Sequence, residues 1–161
     1  MRDSYLSDED LKAFIATLPT RRLAAGALVR NERGDLLLVK PNYKDGWILP
    51  GGTVEAGEAP KPACTRELVE ELGLELELGR LVFIFHGLAL GMWGDSTYYM
   101  YDAGVIASDT PISLQAEELL EYAWVDPADF EEYVRPGFAS RLRQAVAAID
   151  SGELVELSSE D

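Results

Sequence analysis

Apolar and polar residues alternate in blocks along this chain, and the blocks predict its elements. Two β-prone stretches, Arg22–Arg30 and Asp35–Lys40, flank the polar tetrad Asn31-Glu32-Arg33-Gly34. Such a pattern predicts a hairpin with Gly34 supplying a positive φ. Trp47–Pro50 reads as a third short strand, and Leu76–Phe85, Thr97–Ile106 and Tyr122–Val125 as three more. Helical signals separate them. Ser7 can cap a first helix whose opening turn is acidic, and Leu11, Phe14, Ile15 and Leu18 fall on one face before Pro19 ends it. This helix is expected to pack on the domain or on a partner subunit. A second helix should run from Pro60 to Leu72, with prolines in its first turn and Gly73 as its C-terminal stop. Asp126-Pro127 caps a short helix, and Pro136 opens a last one through about Ile149.

Strands on both sides of a helix, with further helices at the ends, predict an α/β fold: an α/β/α sandwich around a mixed sheet, with extra N-terminal and C-terminal helices. The expected organisation is an N-terminal helical extension over 1–20, one catalytic-sized domain over 21–150 and an acidic, frayed tail over 151–161. A length of 161 residues suits one core.

Charge narrows the function. The chain carries 29 acids against 14 bases, a formal net charge of −15. Such a surface argues against binding nucleic acid polymers or anionic membranes, which call for basic patches. No apolar run is long enough to span a bilayer, and the first ten residues hold no apolar signal region. Cys64 is the sole cysteine, so no internal disulfide forms. A cytoplasmic location is the expectation.

One segment concentrates the chemistry. Between Gly52 and Leu74 the chain reads GTVEAGEAPKPACTRELVEELGL. Glu67, Glu70 and Glu71 stand at i, i+3 and i+4, so on a helix they share one face. Like charges at that spacing destabilise an isolated helix by roughly 0.2–0.5 kcal/mol per pair. A compensating cation is implied, and Mg²⁺, a hard ion held by carboxylates, water and phosphate oxygens, is the natural one.

These residues resemble the box that marks the Nudix hydrolase family, the MutT-like enzymes. Gly52, Glu58, Arg66, Glu67, Leu68, Glu70, Glu71, Gly73 and Leu74 fill every fixed position of that box. The flanks Trp47-Ile48-Leu49-Pro50-Gly51 and Trp124-Val125 are also similar to the family's lead-in and late strand. The resemblance implies metal-dependent hydrolysis, by water attack, of a phosphoanhydride bond in a nucleoside diphosphate derivative of nucleoside triphosphate or nucleotide-sugar type. It implies Glu67, Glu70 and Glu71 as ligands of Mg²⁺ (or Mn²⁺), with the Gly51 carbonyl beside them. Arg66 would orient the carboxylates, and Glu58 would tie loop to helix. Family habit implies a homodimer. A non-catalytic nucleotide-sensing module on the same fold is the alternative, one that would tolerate a broken box.

Outside the box, Glu118 is the first choice for an additional metal ligand or general base, with Glu117 and Glu121 behind it. Trp93, in a Gly-flanked connection, is a candidate to stack a base, as are Tyr43 and Trp47, while His86 could approach the leaving group or base. Lys40 and Lys44 could contact phosphates. Ala89 and Leu90 stand where the subclasses specific for ADP-ribose, dinucleoside polyphosphates or coenzyme A carry a marker Pro or Tyr, which leaves triphosphates and nucleotide sugars open.

Overall fold

The computed structural model describes residues 5–161; residues 1–4 of the expected N-terminal extension lie outside the described residues. The strands are β1 (Arg22–Arg30), β2 (Leu36–Pro41), β3 (Gly51–Thr53), β4 (Leu81–Gly87), β5 (Ser96–Val105), β6 (Leu119–Val125) and β7 (Val155–Ser158). The helices are α1 (Asp8–Ile15), α2 (Pro60–Leu72) and α3 (Pro136–Ser151), with short 3-10 turns at Gly91–Trp93 and Pro127–Glu132.

Six strands lie in the order β6-β2-β1-β5-β4-β7, and β3 pairs with β1 off that path. The sheet is mixed. β1 runs parallel to β5 and β4 parallel to β7, whereas the other pairs are antiparallel. Side chains that alternate along β1 and β2 feed opposite layers. Ala25, Ala27, Val29, Leu37 and Val39 pack with Cys64, Leu68 and Leu72 of α2. Leu28, Leu36 and Leu38 pack with Ala139, Leu142, Ala145 and Ala148 of α3. Because both faces are covered, these strands read as continuous apolar runs, and the result is the α/β/α sandwich expected.

β1 has two partners on one edge. Arg30 pairs with Leu36 of β2, while Ala24, Ala25 and Gly26 pair with Thr53, Gly52 and Gly51 of β3. That fork sets β3, and the loop leading into α2, at the mouth of the site. The third strand therefore lies later than expected: Trp47–Pro50 contributes only a bridge from Ile48 to Val39, and the glycines after it are the strand. Glycine is required there, since a Cβ on Gly51 would sit 2.0 Å from the Ala25 carbonyl oxygen.

Three further expectations are corrected. Residues 76–80 are irregular and β4 begins at Leu81, because the Gly79 N–H donates to the Asp102 carbonyl before the ladder starts. The C-terminal segment is not frayed: β7 pairs residue by residue with Phe83–His86 of β4. Helix α1 has its Ser7 cap, but it buries none of its residues, so of the two expected places for its apolar face the domain is ruled out. Among the described residues no helix is long and apolar enough to cross a membrane.

Candidate active site

Helix α2 begins at two prolines pre-set for its first turn and stops where Gly73 takes φ 65°. Its inner face carries Leu68 and Leu72 into the core, which turns Glu67 and Glu71 toward β3. There a cleft of 480 Å³ is lined by Tyr43, Gly51, Gly52, Thr53, Glu55, Glu67, Glu71 and Glu118.

Glu71 is the extreme residue of this cleft. Only 3% of it is exposed, and its carboxylate accepts a hydrogen bond of 3.0 Å from the Gly51 N–H. Burial pushes its pKa up to about 8; the Gly51 N–H opposes that shift, and the charges of Glu67, Glu118 and Glu70 add to it. Glu67 is displaced the same way by burial, against the pull of Arg66. Gly52 leaves room for Glu67: a Cβ there would meet Glu67 Oε1 at 2.5 Å.

Arg66 organises the rest. Its Nε and Nη2 donate to both oxygens of Glu58 at 2.9 and 3.0 Å, and Nη1 donates to Glu67 and to Glu70, each at 3.1 Å. A bidentate, charge-assisted fork of this kind fixes both partners. Glu58 in turn accepts from the Glu55 N–H, so the loop before α2 is tied to the helix. These bonds hold the Glu58 carboxyl below its usual range and the Arg66 guanidinium above its own. Glu70 leans outward on Arg66, half exposed, and is not on the cleft wall.

Glu118 reaches the cleft because the loop before β6 is pinned to the end of β2. The Asn42 N–H donates to the Glu118 carbonyl at 2.8 Å, and Asn42 Nδ2 to the Glu117 carbonyl at 2.7 Å. Sequence reasoning overlooked Asn42; a lone polar residue after Pro41 gives no local signal of a contact made 75 positions away. Glu121 lies on β6 opposite Lys40 rather than in a loop.

Of the aromatic candidates, Tyr43 alone lines this cleft, where burial and the charges of Glu71, Glu118 and Glu67 raise its phenol. Trp47 is edge-on to Tyr133, 5.2 Å between centroids, and packs on the α3-side core. His86 is held by Thr97 and Glu156, both at 3.1 Å, because its strand neighbours are β5 and β7. Trp93 stays largely exposed while its carbonyl accepts from Arg22. Neither lines the cleft.

Among the described residues, no three Asp, Glu, His or Cys side chains converge on a ready-made cation site; Arg66 draws Glu67 and Glu70 toward itself. The donor chemistry nonetheless suits a hard cation. Carboxylates beside a backbone carbonyl are oxygen donors of the kind Mg²⁺ takes, and a buried carboxylate crowded by like charges lacks its counter-charge.

A family model described as the NUDIX domain matches residues 20–149. The chain belongs to the Nudix family. This Nudix protein is 43% identical over 67 residues to diphosphoinositol polyphosphate phosphohydrolase 3-alpha of Mus musculus, covering 40% of this chain and 41% of that one. It thus spans about two fifths of the curated relatives it matches. Its fold superposes with a TM-score of 0.68 on a MutT protein from Methanosarcina mazei Go1, at 26% identity, over 80% of this chain and 96% of the other. A solved structure of UDP-X diphosphatase gives the same TM-score at 16% identity, over 96% and 76% of the two chains, a likeness of fold alone.

Proposed function

We propose that this Nudix chain is a metal-dependent pyrophosphohydrolase, cutting by water attack a phosphoanhydride bond in a nucleoside diphosphate derivative. The observation that carries the reading is the meeting of Glu67, Glu118 and the buried Glu71 around Gly51 in one cleft. The name of the similar mouse protein, a diphosphoinositol polyphosphate phosphohydrolase, supports the bond type.

Glu67, Glu71 and the Gly51 carbonyl, joined by Glu70 from the outer face of α2, would hold Mg²⁺ or Mn²⁺. When bound, such an ion neutralises phosphate oxygens and acidifies water. The protein's own groups do the remaining work. Arg66 keeps the carboxylates of Glu67 and Glu70 in place and, through Glu58, fixes the loop above them. Glu118, which also lines the cleft, would accept the proton of the attacking water. Tyr43 offers its ring at the rim to the nucleoside or the linked group. The one buried thiol, Cys64, suits a reducing, cytoplasmic setting.

A panel of nucleoside triphosphates and nucleotide sugars, assayed for monophosphate release with and without Mg²⁺, tests the reading. Release is expected with metal alone and is expected to collapse in Glu70→Gln and Glu71→Gln. Full turnover in both variants would overturn it.

A further inference from the structure

Past Tyr43 the carboxylate cleft adjoins a second concavity of 370 Å³, lined by Lys40, Asn42, Tyr43, Lys44, Asp45 and Leu120 among others. Tyr43 belongs to both walls. Several of the chain's bases are engaged by acids. With two acids for each base, Arg21, Arg30, Arg33, Arg66 and Arg143 all find carboxylates. Among the described residues Lys40 and Lys44 form no ion pair, although Asp45 shares the wall and Glu121 lies across the strands from Lys40.

A third cation stands close by. The Trp47 N–H donates to the Tyr133 carbonyl at 3.4 Å, and the two rings meet edge to face. That contact lays the 42–47 loop against the segment leading into α3, which Arg135 precedes as N-cap residue. Burial first, and Arg135 second, hold the Lys44 ammonium below its usual range. Like charges gathered without carboxylate partners gain by taking up an anion. The neighbouring cleft cannot serve a further phosphate, because its walls are acidic and Arg66 is already engaged by Glu58, Glu67 and Glu70.

We propose that Lys40 and Lys44 hold an anionic group of the substrate that lies beyond the bond being cut, with Tyr43 packed between the two ends. Calling that anion part of a substrate rests on the hydrolase reading above. The substrate class is then a nucleoside triphosphate, or a diphosphate whose linked group bears a further phosphate, in preference to a nucleotide sugar whose linked sugar is uncharged.

The test begins with the full chain in chelator, titrated with inorganic phosphate and followed by NMR at the amides of residues 40 and 42–45. Shifts are expected there; they should weaken about tenfold in affinity in Lys40→Ala/Lys44→Ala and persist in Lys44→Arg. With Mg²⁺ present, the double alanine variant should raise KM for GTP about tenfold and KM for UDP-glucose by less than about twofold, with the effect in KM rather than kcat. A flat phosphate titration, or equal KM changes for the two substrates, overturns the pocket. The two readings fail separately. If phosphate binds at Lys44 but neither substrate is cut, the hydrolase reading falls and the anion pocket stands. If hydrolysis proceeds while the titration is flat, the pocket alone falls.

Discussion

Gly51 donates its backbone N–H to the carboxylate of Glu71 across 3.0 Å, joining the start of β3 to the last turn of α2. The bond is buried, and it is a small compensation for an acid that water barely reaches. Burial outweighs that bond and pushes the Glu71 carboxyl up to about 8, against 4.5 for an ordinary glutamate.

A pH prediction follows from the sign of that shift. The ionised form is disfavoured only in the folded state, so the folded protein binds more protons between pH 4.5 and 8. In metal-free buffer, stability falls as pH rises through this window, by at most about 1.4 kcal/mol per pH unit for the one group. Urea midpoints of wild type minus Glu71→Gln isolate the effect. The difference should move against wild type from pH 5 to pH 8, and Mg²⁺ should raise the wild-type midpoint more at pH 8 than at pH 5. A difference independent of pH would remove the assignment.

The two glycines before α2 should fail differently. At Gly52 an added methyl meets the carboxylate end of Glu67, which can swing aside. Gly52→Ala should leave the unfolding midpoint within about 1 kcal/mol of wild type while lowering kcat/KM about tenfold or more. At Gly51 the obstacle is the Ala25 carbonyl and the φ is 144°, so nothing flexible can yield. Gly51→Ala should lose about 3 kcal/mol or more. Equal stability losses would contradict the geometry.

Truncation after Gly152 removes β7 and the partner of one edge of β4. It also removes the Glu153 carbonyl that accepts from Arg80 and the Ser159 groups bonded to His86 and Leu88. The shortened chain should be less stable by about 2–4 kcal/mol in urea and prone to associate through the bared edge. An unchanged midpoint would mean that the strand contributes nothing.

What could be read in advance divides along a physical line. Helix α2 was legible because its determinants, Pro60, Pro62 and Gly73, act within the segment itself, and so was the pattern from Gly52 to Leu74. Strand β7 was hidden: the acids of 150–161 suggest a solvated tail, and only the open edge of β4, some seventy residues earlier, makes Val155–Ser158 a strand. β3 was displaced because Gly51 and Gly52 look like a turn, whereas their use is to let two backbones approach. The same limit applies at the site. No local signal separates Tyr43, which reaches the carboxylates, from Trp93, which does not, since the difference is made by Asn42 bonding to the loop before β6.

Tyr43→Ala should accordingly raise KM for the best substrate several-fold, in keeping with about 1 kcal/mol of lost aromatic contact. Trp93→Ala and His86→Ala should change kcat/KM by less than about twofold, because neither side chain lines the cleft. Steady-state kinetics on the three variants checks this. A large loss in Trp93→Ala with none in Tyr43→Ala would place the nucleoside on the other side of β1.

Arg66 offers the sharpest test of how the box works. Its guanidinium spans Glu58 with two donors and reaches Glu67 and Glu70 with a third. A lysine keeps the charge but cannot present donors in a fixed fork. If charge alone mattered, Arg66→Lys would be nearly silent. If the fork orients the carboxylates, it should cost about 10–100-fold in metal affinity or kcat/KM, and Arg66→Ala little more. The side chain is about a quarter exposed, so its ion pairs contribute modestly to folding and the lysine variant should remain folded. Mg²⁺ titration of wild type, Arg66→Lys and Arg66→Ala separates the two cases: the expected order places lysine beside alanine, and a lysine variant that matches wild type would leave Arg66 a counter-charge only.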